Sequence, residues 1–377
     1  MATVLALLAA SCAAEGGSST TEGVSDPAET TVTTDGDTGT TAPDTTMSTN
    51  AGDWEPEYEG EVLQPLPDGF PDQPIRILVA DGPASADGQL ATQLAETASG
   101  HAPVDIRVEF REDFVALGDW EAARYIADQE EGRDGYLLQT MAGIGTYADL
   151  ALQPEGILGL TFDDVQPVAV VEDTRWWLAQ CSEVPWEPTF EALIEQIQSN
   201  PGEVRYMGLG GVGGTDLGFY QLLNSAGGGE VDHIPTGGGE DKSLATAACE
   251  GDVTVSTSTT LNPHVQSGRV DLLAVMGDQR LEEYPDVPTA AELGIEGGGL
   301  VSTKQLTTTA QIPELHLAWL AELLQTVVDD SSYVDQRQQQ PGVTVYFEGP
   351  DATKELNRET LDLTTTLIEE FDMAPEG

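Results

Sequence analysis

Pro74-Ile75-Arg76-Ile77-Leu78-Val79-Ala80, then Asp81-Gly82-Pro83-Ala84-Ser85-Ala86-Asp87-Gly88, then residues 89–99, read as a strand, a polar turn and a helix. The short apolar run at 74–80 is that of a strand buried within a sheet. Moving outward, residues 104–110 alternate like a strand, and residues 119–129 predict a helix that packs Trp120, Ala123, Tyr125 and Ile126. Residues 135–140 form another short strand that ends in a Gly-rich loop. The pattern then repeats. Strands are expected at 168–171 and 176–179, and a helix capped by Thr189 carries Phe190, Leu193, Ile194 and Ile197 until Asn200-Pro201-Gly202 stops it. Further strands fall at 204–207, 231–234, 253–256, 270–276 and 343–347, with helices after Thr215 or Asp216 and at 312–328 and 351–371.

This alternation predicts an α/β protein with mostly parallel sheets. Several strands run into Gly/Ser/Thr loops that open helices. Such loops place backbone N–H groups and the positive helix end where an anion can sit. Ordinary βα turns, which use Gly and Ser for conformational reasons, are the competing reading.

The 377-residue chain holds 66 acidic and 14 basic residues, a formal net charge of -52. Little is left to neutralise phosphates, so nucleic acid is excluded as a partner, as is docking on anionic lipid. Carboxylates in this excess keep a protein soluble in concentrated salt, where counterions screen their repulsion. The composition therefore points to a saline, halophilic setting.

Residues 1–12, MATVLALLAASC, are apolar and end in Ala9-Ala10-Ser11-Cys12, which resembles a lipobox with Cys12 as lipid anchor. There is no basic n-region, and Ala9 stands where a Leu is usual. Residues 13–69 are read as an acidic Thr/Gly-rich tether too poor in apolar residues to order itself. An anchor, a tether and a folded body make the layout of an exported, surface-held lipoprotein. That location permits a disulfide between Cys181 and Cys249, with two separate buried thiols as the alternative. No closely spaced Cys/His set suggests a metal, and neither a G-x-S-x-G elbow nor a G-x-x-x-x-G-K loop suggests catalysis or a cofactor.

Ordered segments of the body resemble the substrate-binding receptors of tripartite tricarboxylate transporters, the TctC or Bug type. Phe70 through Arg76 is similar to YPxxPIR, Asp134-Gly135-Tyr136-Leu137-Leu138 to PDGYTLL, and Phe162 through Val168 to DFxPV. Asn200 through Tyr206 resembles NPGKLNY, and Gly208 to Thr215 with Leu217 resembles GSxGxGSxxHL. His233 through Gly239 follows HVPYKGG in outline, and Ser267 through Val275 follows SGKLRALAV. Most specific is Tyr284-Pro285-Asp286-Val287-Pro288-Thr289-Ala290-Ala291-Glu292-Leu293-Gly294, close to LPDVPTxAEAG.

The resemblance implies a type II periplasmic-binding-protein-like clamshell of two α/β lobes. The first lobe would take 70–172 and return at 281–377, and the second would take 173–280. It further implies capture of a small organic carboxylate, without catalysis, by a monomer that docks on a membrane permease of large and small subunits. Ligand contacts would fall on Ser85, Asp87, Thr140, Gly213, Gly214, Thr215, Thr236, Gly237, Ser256, Ser258 and Thr259. Neutral donors of this kind can hold a carboxylate without a counter-charge. Two departures leave the acid open: Pro83-Ala84-Ser85-Ala86 replaces a glycine cluster, and Thr236-Gly237 replaces an aromatic-basic pair. A sensing receptor on the same fold and an exported α/β hydrolase are the rival readings.

Overall fold

A computed structural model describes residues 54–114, 117–209 and 213–371. The proposed signal, Cys12 and the tether up to residue 53 lie outside the described residues. From residue 54 the chain is already folded. A hairpin of β1 (Tyr58–Glu59) and β2 (Val62–Leu63) leads into the body, with Leu63 and Leu66 buried in the core. Trp319 donates from its indole N–H to Gln64 O at 2.8 Å. Residues 54–69 thus belong to the folded body, although their polar composition places them in the tether: a few well-spaced apolar residues suffice to dock a segment.

The first lobe is built from β3 (Ile75–Val79), α1 (Ala86–His101), β4 (Ile106–Phe110), α2 (Asp119–Asp128), α3 (Glu130–Arg133) and β5 (Leu137–Ala142). Then come α4 (Gly143–Leu152) and β6 (Val165–Thr174). Ser85 caps α1, accepting from Gly88 N at 3.0 Å, so the polar turn and the helix start are one device. At Arg175 the chain crosses to the second lobe. Its elements are β7 (Trp176–Cys181), α5 (Phe190–Ser199), β8 (Arg205–Leu209), α6 (Gly214–Ser225), β9 (Asp232–Thr236), α7 (Gly239–Ala247), β10 (Val253–Thr257), α8 (Ser258–Gln266) and β11 (Val270–Val275). Thr189 caps α5 through Ala192 N at 3.2 Å.

The return brings β12 (Ser302–Thr309), α9 (Glu314–Asp329), α10 (Ser331–Arg337), β13 (Val343–Glu348) and α11 (Pro350–Glu370). It starts later than residue 281. Ala290, Leu293, Ile295 and Leu300 pack into the second lobe's core, as do Leu367 and Ile368 of α11.

The six-stranded sheet runs β13-β6-β12-β5-β3-β4 and the five-stranded sheet β11-β7-β10-β8-β9. The expectation of mostly parallel sheets is corrected here. β3–β4, β3–β5, β8–β9 and β8–β10 are parallel. β12–β5, β12–β6, β13–β6, β10–β7 and β11–β7 are antiparallel, so both sheets are mixed and antiparallel pairs are the majority. The βα units do pair in parallel. The strands that carry the chain between lobes, β6, β7 and β12, run the other way.

β12 is the strand that the sequence pattern hides. Its sequence STKQLTTT is polar, yet all eight residues are buried. Side-chain hydrogen bonds satisfy it: Gln305 and Asn357 exchange two at 2.9 and 3.0 Å, Gln139 Nε2 donates to Thr307 at 3.1 Å, and Thr308 donates to Leu137 O at 2.9 Å. Two cross-links fix the rest. Arg337 of α10 meets Glu172 of β6 in a fully buried ion pair at 2.8 and 2.7 Å. Cys181 and Cys249 are joined by a disulfide with their Cα atoms 5.4 Å apart, which selects one of the two states left open for these cysteines.

Candidate functional site

A cavity of about 180 Å³ lies between the lobes, and five helix N-termini reach it. Ser85 to Asp87 opens α1, Gly145 lies in the first turn of α4, Gly214 and Thr215 open α6, Gly239 and Glu240 open α7, and Thr257 and Thr260 mark the start of α8. Each start follows directly from a strand end or a short turn, so the sheets aim these helices at one place. Helix N-termini carry partial positive charge and unpaired N–H groups, and several together favour an anion. Trp176 and Leu209 supply apolar wall.

Gly214 is required by this closeness. A Cβ there would come within 2.9 Å of Ile144 Cγ2 and of the Trp176 ring, and 3.0 Å from Gly145 N. Only glycine lets α6 approach α4 across the cleft.

Two ammonium groups and three carboxylates, those of Asp81, Asp87 and Glu240, also line the cavity. The chain has three lysines, Lys242, Lys304 and Lys354, and the first two line this cavity. Lys304 Nζ sits 2.9 Å from Asp87 Oδ1 and donates to Oδ2 at 3.1 Å. Lys242 is 1% exposed, and the one side-chain hydrogen bond it makes among the described residues goes to Thr215 Oγ1. Burial pulls the Lys242 ammonium down to about 8, against the opposing pull of the Asp216 carboxylate. Asp81 at the cavity edge is pushed up by desolvation, with Asp87 and Glu240 adding repulsion and a Gly82 N–H bond opposing it. Behind the α4 start, Asp119 accepts from Thr146 Oγ1 at 2.5 Å, and desolvation with the Asp87 charge pushes it up to about 7.

Of the contact residues expected from sequence, Ser85, Asp87, Gly214, Thr215 and Ser256 line the cavity. The others do not. Thr140 is buried inside β5, opposite Leu306, and the cavity meets that strand at Ala142 instead. Gly213 precedes α6 with Leu209 packed against its Cα. Thr236 turns its hydroxyl back to Gly208 O at 2.8 Å, and Gly237 lies beside the Asp241 carboxylate. Ser258 Oγ is buried against Gly342, and Thr259 bonds Thr257 at 3.2 Å.

Sequence reasoning missed Lys242, Lys304, Trp176, Ser302, Thr257 and Thr260. The expectation that neutral donors suffice is also incomplete, because two ammonium groups stand in the wall. Thr236-Gly237 brings no basic group, and Lys242, in the first turn of α7, is the nearest lysine in the chain that lines the cavity. The scarcity of lysine was the available signal.

Comparison with known proteins fits this architecture. Residues 125–373 match the family model described as tripartite tricarboxylate transporter family receptor. A UPF0065 protein of Bordetella pertussis is 27% identical over 235 residues, covering 62% of this chain and 69% of that protein. Two solved Rhodopseudomonas palustris proteins share the two-lobed fold. MatC with bound malate has a TM-score of 0.68 at 20% identity, covering 79% of this chain and 100% of that one. A second, with adipate, has a TM-score of 0.69 at 18% identity, covering 81% and 99%. The chain therefore belongs to the tripartite tricarboxylate transporter receptor family, whose members are extracytoplasmic solute-binding proteins and not enzymes.

Proposed function

We propose that the interlobe cavity captures a small organic carboxylate and that the loaded receptor delivers it to a membrane permease with large and small subunits. One observation carries the reading: a chain with three lysines and a net charge of -52 buries two of them where five helix N-termini converge. An isolated buried ammonium is costly unless something pairs with it, and Lys242 has a hydroxyl in hydrogen-bond contact and the Asp216 carboxylate only at a distance. A ligand carboxylate would supply the missing partner. At about 180 Å³ the cavity is smaller than the roughly 300–1,000 Å³ of sites for drug-sized ligands, which favours a short acid. Malate and adipate, held by the two Rhodopseudomonas palustris neighbours, are acids of that class.

In this reading Lys242, Thr215 and the α6 and α8 N-termini hold one carboxylate from the second lobe. Ser85 and the Asp87–Lys304 pair complete the wall from the first. Closure of the lobes then follows from the ligand binding the closed form more tightly than the open one. The disulfide suits an exported body, and Cys12 would hold it at the surface. A thermal-shift screen of short carboxylates at low and high salt tests the reading. At least one acid should raise the melting temperature, because binding to the folded state alone must stabilise it. No shift with any acid, under conditions where the protein is folded, would remove the carboxylate assignment.

A further inference from the structure

The cavity is polarised rather than uniformly cationic. Asp87 already neutralises Lys304. That leaves Lys242 as the one lining cation without a carboxylate partner among the described residues, and Asp81 and Glu240 as two carboxylates on the same cavity. Asp81 follows β3 in the first lobe, while Glu240 lies in the first turn of α7 in the second. Asp81 Oδ2 comes within 3.9 Å of where a Cβ on Gly238 would sit, so the two loops are near neighbours. Asp81 spends Oδ1 on Gly82 N at 2.8 Å and feels Lys304 only at a distance, and neither Asp81 nor Glu240 has an ion-pair partner within 4.0 Å among the described residues. Lys242 is almost wholly buried and keeps donors to spare.

We infer that the ligand is a zwitterion, with its carboxylate on Lys242 and Thr215 and an ammonium group held between Asp81 and Glu240 of opposite lobes. This rests on the cavity being the carboxylate site and narrows the class of acid. A plain dicarboxylate would set its second charge against Asp81 and Glu240, a like-charge contact that selects against it. A simple monocarboxylate would leave those two groups facing each other as the lobes close. An ammonium relieves that repulsion and bridges the lobes, so the ligand itself supplies the closed state's advantage.

Calorimetric titration of the full chain with matched acids tests this: glutamate against glutarate, and 4-aminobutyrate against succinate, within a wider set of α- and ω-amino acids and plain acids. The ammonium-bearing member should bind at least about tenfold tighter, the scale of one favourable charge contact exchanged for a repulsive one. In the Asp81→Asn/Glu240→Gln double variant that preference should shrink to about twofold or less. Both residues are exposed, and an unchanged ligand-free melting temperature would show that the fold is kept. Tighter binding of the plain acids, or a preference that survives in the double variant, overturns the zwitterion and leaves carboxylate capture standing. Failure of every acid to bind overturns both.

Discussion

Arg337 and Lys242 are both buried to within 1% of full enclosure, and they represent opposite treatments of a cation. Arg337, in the first lobe, is fully charge-paired, with each of its three nitrogens donating: Glu172 accepts twice, and Gln93 Oε1 accepts at 2.9 Å. Lys242, in the cleft, has one hydroxyl and a carboxylate that acts only at a distance. A chain so rich in acid could have paired both. It pairs one and leaves the other facing a cavity, which in the proposed reading separates a cation that holds the fold from one kept for a ligand.

Removing each partner should break the symmetry of the two sites. Arg337→Met leaves Glu172 charged and buried, so stability should fall by about 3–5 kcal/mol in denaturant unfolding, with ligand affinity of the folded fraction unchanged. Lys242→Met should do the reverse. Affinity for the best acid should drop about 100-fold in calorimetric titration, the scale of losing one charged partner, while the ligand-free melting temperature holds or rises.

Lys304 is the intermediate case, paired like Arg337 yet placed like Lys242. Lys304→Met strands Asp87, whose side chain is 23% exposed, so a smaller stability loss of about 1–2 kcal/mol is expected by thermal unfolding. The smallest effect is that of pH. Lys242 loses its proton near 8 in the free protein, and a bound carboxylate favours the charged form and raises that value. Above about 8, binding must take up a proton, so affinity should fall by up to about tenfold per pH unit, and not in Lys242→Met. The sign for folding is opposite: the unfolded chain keeps this proton to higher pH, so Lys242 makes the ligand-free protein more stable as pH rises above about 8.

The βα units could be seen in the sequence because their signals are local. Ile75 to Val79 is continuous and apolar, Ser85 and Thr189 cap the helices that they precede, and Asn200-Pro201-Gly202 ends α5. Strand direction is a tertiary property, so the expectation of parallel sheets failed at β6, β7, β11 and β13, and β12 was missed altogether because its polar residues find their partners only across the sheet. The site divided the same way. Ser85, Gly214 and Thr215 follow strand-to-helix turns and so point to the cavity. Thr140 looked equivalent but sits two residues too deep in β5. Lys242 and Lys304 occupy helix and strand interiors, where a lone lysine usually means solvent. Only the packing of α7 and β12 turns them inward.

In the proposed reading this receptor takes its carboxylate on Lys242. Calorimetric titration of the intact chain and of Lys242→Met with the same panel of short acids tests it most directly. At least one acid should bind the unaltered chain at one site per molecule and lose about 100-fold in the variant. A tight-binding acid that keeps its affinity without Lys242 would contradict the account.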